Sequence, residues 1–173
     1  MTKIIASLIP LALSAVLFSS SAVEAARGKV GQIASIQSSD NFCFFLPPGR
    51  GGIIADNEDR AVAFCTKPLS GAPGARTFPQ GFIQSAHYDS GNEWVQVTGR
   101  IDNSAYGLSR SDGGGQFDVI APKGAACANY EYFVNIIEPD KSIYCIRCCN
   151  NKSDCNTGKS TYGCQSVLGG DYS

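Results

Sequence analysis

Histidine, methionine and tryptophan each occur once in this chain, and charge of either sign is sparse. With one histidine, His87, any imidazole-based acid–base chemistry has one place to sit. Fourteen Lys and Arg stand against fifteen Asp and Glu, a formal net charge of −1, with no block of either sign. A protein that neutralises nucleic-acid phosphates needs a basic face, so no nucleic-acid partner is expected. A polybasic membrane-surface protein is excluded on the same ground. Beyond residue 25 no apolar run approaches the ~20 residues of a spanning helix, so no membrane insertion is expected. Residues 169–173 offer no hydrophobic tail for a lipid anchor. Internal repeats and low-complexity tracts are lacking. No segment of eleven or more residues carries capped 3.6-residue periodicity, so helix is scarce.

What is present begins with a leader. Lys3 gives a short positive start. Residues 4–18 are apolar apart from Ser7, Pro10 and Ser14, and Val23-Glu24-Ala25 fits the small-x-Ala rule of signal peptidase. Residues 1–25 are therefore expected to be a cleaved signal peptide. Residues 26–173 are expected to form one soluble, secreted domain, starting near Ala26 or Arg27.

All eight cysteines lie beyond the leader. An even count in a secreted chain implies a disulfide framework. Cys43, Cys65 and Cys127 are scattered; Cys145, Cys148, Cys149, Cys155 and Cys164 cluster. Both groups are odd in number, so complete pairing requires at least one bridge from the cluster to the earlier body. Adjacent Cys148 and Cys149 are expected to take different partners. Cys145-Ile146-Arg147-Cys148 also has the spacing of a redox-active thiol pair or half a zinc site. The oxidising secretory route favours structural bridges, and no metal or cofactor is expected.

Strand signals are short and frequent: residues 29–37, 41–46, 60–65, 82–88, 93–101, 116–120, 132–138 and 142–149. Residues 82–88 and 93–101 read as a hairpin joined by residues 89–92. Residues 47–52 and 67–81 are loops rich in proline and glycine. A short helix is allowed over residues 125–130. The expected fold class is mainly β: a small antiparallel sandwich or barrel with a disulfide-rich C-terminal segment.

Side chains alternate along a strand. Val95, Val97 and Ile101 therefore share one face, and Trp94, Gln96, Thr98 and Arg100 the other. If the valine face is core, Trp94 beside three polar groups makes a binding platform for a sugar or peptide, which Tyr88 and Tyr106 could widen. The alternative places Trp94 against a second layer. His87, Glu93 and Arg100 could form the base, acid and phosphate clamp of a small ribonuclease or hydrolase; no Gly-x-Ser-x-Gly elbow accompanies them. Asp112-Gly113-Gly114-Gly115 with Asp118 has too few acids at no calcium-loop spacing and reads as a tight turn. Arg50-Gly51-Gly52 reads as loop. Asn151-Lys152-Ser153 is an N-glycosylation sequon.

Residues 78–87 (FPQGFIQSAH), 95–102 (VQVTGRID), 111–118 (SDGGGQFD), 137–140 (IEPD), 145–149 (CIRCC) and 170–173 (GDYS), taken together, resemble a family of small secreted cysteine-rich fungal proteins. The resemblance implies an extracellular, effector-like protein and carries over no catalytic residue. The expected function is non-catalytic recognition of a wall polysaccharide or a host protein, with a His87/Glu93/Arg100 enzyme as the alternative.

Overall fold

The computed structural model describes residues 28–117 and 121–173. The leader over residues 1–25, the start near residue 26 or 27, Asp118 and the end of the expected strand 116–120 lie outside the described residues.

Residues 41–46 are apolar at five consecutive positions, a pattern that suits a strand buried on both faces. They form β3 (Asn41–Leu46), in which Phe42 through Leu46 are all fully buried. Around it lie β2 (Ile36–Ser38), β4 (Val62–Cys65) and β5 (Arg76–Thr77), in the order β2-β3-β4-β5. The short β1 (Ile33–Ala34) precedes them. The second sheet contains β6 (His87–Ser90), β7 (Trp94–Arg100), β8 (Gly115–Gln116), β10 (Tyr132–Glu138) and β11 (Ile143–Cys149), in the antiparallel order β6-β7-β11-β10-β8. The fold is thus mainly β, and the two larger sheets form a sandwich.

The core is aromatic. Phe44 lies 4.5 Å from Phe78 and 4.6 Å from Tyr144, centroid to centroid, and Phe45 lies 5.2 Å from Phe133. Phe78 is the one phenylalanine of the irregular stretch 67–81, so its ring fastens that stretch to the sandwich. Burial pushes the Tyr144 hydroxyl well above the ordinary phenol range; it donates to the Ser85 carbonyl.

Four bridges hold the described residues: Cys43–Cys65, Cys127–Cys148, Cys145–Cys164 and Cys149–Cys155. No cysteine is free. Cys127–Cys148 is the link that the odd counts require, and Cys148 and Cys149 do take different partners. The redox and zinc alternatives for Cys145–Cys148 have no thiol to act through.

Four local expectations are corrected. The first hairpin strand, expected over residues 82–88, is β6 at His87–Ser90, so residues 89 and 90 are strand rather than turn. Residues 29–37 do not form one strand. They break into β1, which pairs in parallel with β9 (Ala126–Cys127), and β2, which pairs with β3. Two of the pairings, β1–β9 and β4–β5, are parallel rather than antiparallel. Residues 125–130 hold β9 and not a helix. The helical turns lie instead at α1 (Asn103–Tyr106) and α2 (Gly163–Val167). In α1 the Asp102 carboxylate caps Ser104 N–H, and Gly107 at φ 71° ends the turn.

Candidate functional site

Alternation in β7 sorts its side chains as expected. Val95, Val97 and Ile101 join the aromatic core. Trp94, Gln96, Thr98 and Arg100 point to the opposite face, but that face is not open. Gln96 is 2% exposed and Thr98 1% exposed. Trp94 is half-buried against a second apolar cluster that includes Val134, Ile136, Ile143 and Leu168. Only Arg100 is exposed. The expected platform therefore lies beneath a covering layer, residues 150–173.

The sequence of β11 fastens that layer. Tyr144, Ile146 and Cys148 face the aromatic core, while Cys145, Arg147 and Cys149 face the cover. Cys145 and Cys149 bridge into it. Arg147 stacks over the Trp94 ring, 4.3 Å from its centroid. Its Nε and Nη2 both donate to Gln96 Oε1, at 2.9 and 2.6 Å. Nη1 donates to the Asp154 carbonyl and Nη2 to the Leu168 carbonyl, each at 3.0 Å. Burial pulls the Arg147 pKa below the usual arginine value, opposed by the nearby Asp154, Asp89 and Tyr172. Thr98 Oγ1 donates to the Asp171 carbonyl, and burial raises the Tyr172 phenol above its ordinary range.

His87, Glu93 and Arg100 are not gathered into one site. His87 is the cross-strand partner of Thr98, two positions from Arg100. Glu93 lies in the bend that precedes β7, five positions before Thr98 and beyond the far end of the strand from Arg100. Its carboxylate accepts from Asn150 Nδ2 at 3.1 Å. The imidazole instead meets the cover, with Nδ1 3.5 Å from Asp171 Oδ2 and Nε2 3.2 Å from the Ser173 main-chain oxygen. Hydrogen bonds to the Ser173 N–H and hydroxyl hold the Asp171 carboxyl below its usual pKa. Tyr88 is exposed, and Tyr106 is buried with its hydroxyl donating to the Pro47 carbonyl, so neither extends a platform around Trp94. Asn151 is exposed in a turn inside the Cys149–Cys155 ring.

Sequence reasoning missed an open cleft of about 430 Å³ at the β8 edge of the larger sheet. Its floor is the glycine run 113–115, read from the sequence only as a turn. Asp112 shapes that turn: Oδ2 accepts from Ile54 N and Oδ1 from Gly114 N, both at 2.9 Å. Both carboxylate oxygens of Asp112 are thus committed to backbone, in keeping with the turn reading.

Two carboxylates flank the floor, each seated against a glycine. Glu58 Oε1 accepts from Gln116 N at 3.2 Å, and a β-carbon on Gly115 would come within 2.9 Å of the same oxygen. Glu138, 4% exposed, accepts from Cys164 N at 2.7 Å and from Lys141 Nζ. A β-carbon on Gly163 would collide with its carboxylate. Between them Gln116 donates Nε2 to the Thr157 carbonyl, but its Oε1 has no donor although the residue is 3% exposed. An unpaired buried acceptor of this kind costs about 1–3 kcal/mol. The partners Glu58 and Glu138 are remote from residues 113–116 in sequence, and no spacing rule would have joined them.

The fold and these surfaces define a class: a disulfide-stapled β-sandwich with a covered sheet face and an open cleft at the β8 edge. No family model matches the chain, and no solved structure matches it. It is similar to appressorium protein ROW1 of Mycosarcoma maydis, 37% identical over 94 residues, which are 54% of this chain and 20% of that protein. It is also similar to appressorium protein ROW2 of the same fungus, 36% identical over 92 residues, 52% of this chain and 30% of the relative. The chain thus matches less than a third of the length of either curated relative. Among the described residues no helix is long and apolar enough to cross a membrane.

Proposed function

We propose that this chain is a secreted, non-catalytic recognition protein of a fungus, with an effector-like role toward a wall polysaccharide or a host protein. The observation that carries the reading is the open cleft beside the glycine turn 113–115, lined by Glu58 and Glu138. Four disulfides fit the oxidising route outside the cell. Similarity to two appressorium proteins fits a fungal effector-like role. The non-catalytic part of the reading draws on His87, whose two ring nitrogens are already engaged by Asp171 and Ser173 while Glu93 is remote.

The test is retention of the purified protein on insoluble chitin, β-glucan and cellulose. The expected result is retention on at least one polymer with no release of soluble sugar, and His87→Ala retained like the native chain. Release of sugar by the native chain and not by His87→Ala would establish the enzyme alternative instead. No retention on any polymer would direct the reading to the host-protein target.

A further inference from the structure

We propose that Asn151 is an N-glycan acceptor, and that the sugar it carries shields the lysine beside it in the disulfide loop of the covering layer. This goes beyond the recognition reading and rests only on its secretion step. Asn151-Lys152-Ser153 is the one Asn-x-Ser/Thr triplet in the chain. The neighbouring asparagines do not fit. Asn150 has Lys152 at the third position, and its Nδ2 donates to Glu93. Asn156 has Gly158 there, and its Oδ1 accepts from Gly158 N–H.

The fold leaves the triplet in solvent. Asn151, Lys152 and Ser153 are all exposed, just beyond the end of β11. The Cys149–Cys155 bridge closes them into a turn, in which Asp154 N–H donates to the Asn151 carbonyl and Cys155 N–H to the Lys152 carbonyl. Both bonds use main-chain oxygens, so neither occupies the Asn151 amide nitrogen or the Ser153 hydroxyl. An open groove of about 520 Å³, lined by residues 152, 153 and 155–158, runs along the serine side and leaves room for a sugar.

The donor in the secretory route is an oligosaccharide on a lipid diphosphate. Asn151 Nδ2 bonds to its anomeric carbon, and the bond from that carbon to the diphosphate oxygen breaks. The diphosphate leaves with the electron pair, and one Nδ2 proton passes to solvent. The Ser153 hydroxyl marks the asparagine as an acceptor. The product is a bulky, hydrated group on an exposed turn. Exposed loop tips are the preferred sites of proteolytic nicking, and Lys152 offers a trypsin-like protease its bond to Ser153. A cut there would open the loop next to Asp154, whose carbonyl accepts from Arg147 Nη1. A sugar on the adjacent residue covers that bond.

The experiment expresses the full chain in a fungal host, once as it stands and once with a proven host leader fused ahead of residue 1, with Asn151→Gln and Ser153→Ala beside it. Intact mass is read in medium and in cell lysate, before and after peptide-N-glycosidase. The native chain is expected to carry added mass that the enzyme removes, converting Asn151 to aspartate, and both variants to lack it. Melting of both variants is expected to match that of the deglycosylated native chain, because exposed substitutions away from packed groups change stability little. Limited trypsin digestion is expected to cut after Lys152 in Asn151→Gln and to leave that bond intact in the glycosylated chain.

A chain that leaves the cell bare behind the host leader would overturn the site. Sugar that persists in Asn151→Gln would overturn it too, by placing the modification elsewhere. Glycosylation behind the host leader alone would overturn secretion by the chain's own leader while supporting Asn151 as acceptor. An identical trypsin pattern with and without the sugar would overturn the shield.

Discussion

Arg147→Ala is expected to destabilise the protein by about 3 kcal/mol, a drop in melting temperature of roughly 6–12 °C at this size. The guanidinium joins two points of the covering layer, the Asp154 and Leu168 carbonyls, to the sheet, where it also donates to Gln96 on β7. Its plane also lies over Trp94. Truncation leaves Gln96 Oε1 buried without its charged donor, and such an unmet group costs more than an average hydrogen bond contributes. Arg147→Lys restores little, because an ammonium cannot reproduce the planar fork that reaches Gln96 twice. Circular-dichroism melting of the three proteins checks this. A melting temperature unchanged in Arg147→Ala would mean that the two bridges from Cys145 and Cys149 hold the cover without it.

Phe44→Ala is expected to cost about 3–5 kcal/mol, the range for removing a fully buried aromatic ring from a packed core. Phe44 is 0% exposed and contacts Phe78, Tyr144, Phe42 and Phe82. The ring therefore supports both sheets and, through Phe78, the irregular stretch 67–81. Urea unfolding gives the loss directly, with Val30→Ala as a reference because Val30 is 75% exposed. Limited proteolysis of Phe44→Ala is expected to cut first within residues 67–81, whose anchor has gone. A loss near that of the reference, or a first cut elsewhere, would contradict this description of the core.

Some of this was legible before any coordinates. The apolar run 41–46 and the alternation in 94–101 defined strands because an unbroken apolar run marks a strand apolar on both faces, as in β3, and alternation marks one apolar face, that of Val95 and Val97 in β7. Cysteine parity required the cluster to join the body, as Cys127–Cys148 does. The two-residue parallel pairs were not legible, since two residues show no period and parallel pairing depends on segments far apart in sequence. Nor was α1, which is shorter than the window any helical period needs; its cap Asp102 and stop Gly107 were the only local signals.

The polar face of β7 was misjudged for a physical reason. Gln96 and Thr98 look solvent-facing because they are polar, yet each is satisfied inside the protein, Gln96 by Arg147 and Thr98 by the Asp171 carbonyl. The hint was on the neighbouring strand, where Cys145, Arg147 and Cys149 alternate onto one face and two of the three are bridge-forming. The cleft was illegible because its parts come from four separated segments, with only the glycine turn visible locally.

The most direct test of where this protein recognises its ligand is a map of backbone amide shifts in the 15N-labelled chain during titration with the soluble fragment of whichever polymer retains it. The account predicts shifts at Gly113, Gly114, Gln116 and Thr161 around the cleft, with Gln96 and Thr98 unmoved beneath their cover. Shifts confined to residues 94–100 and 168–173, with residues 113–116 silent, would contradict it and return the site to the Trp94 face.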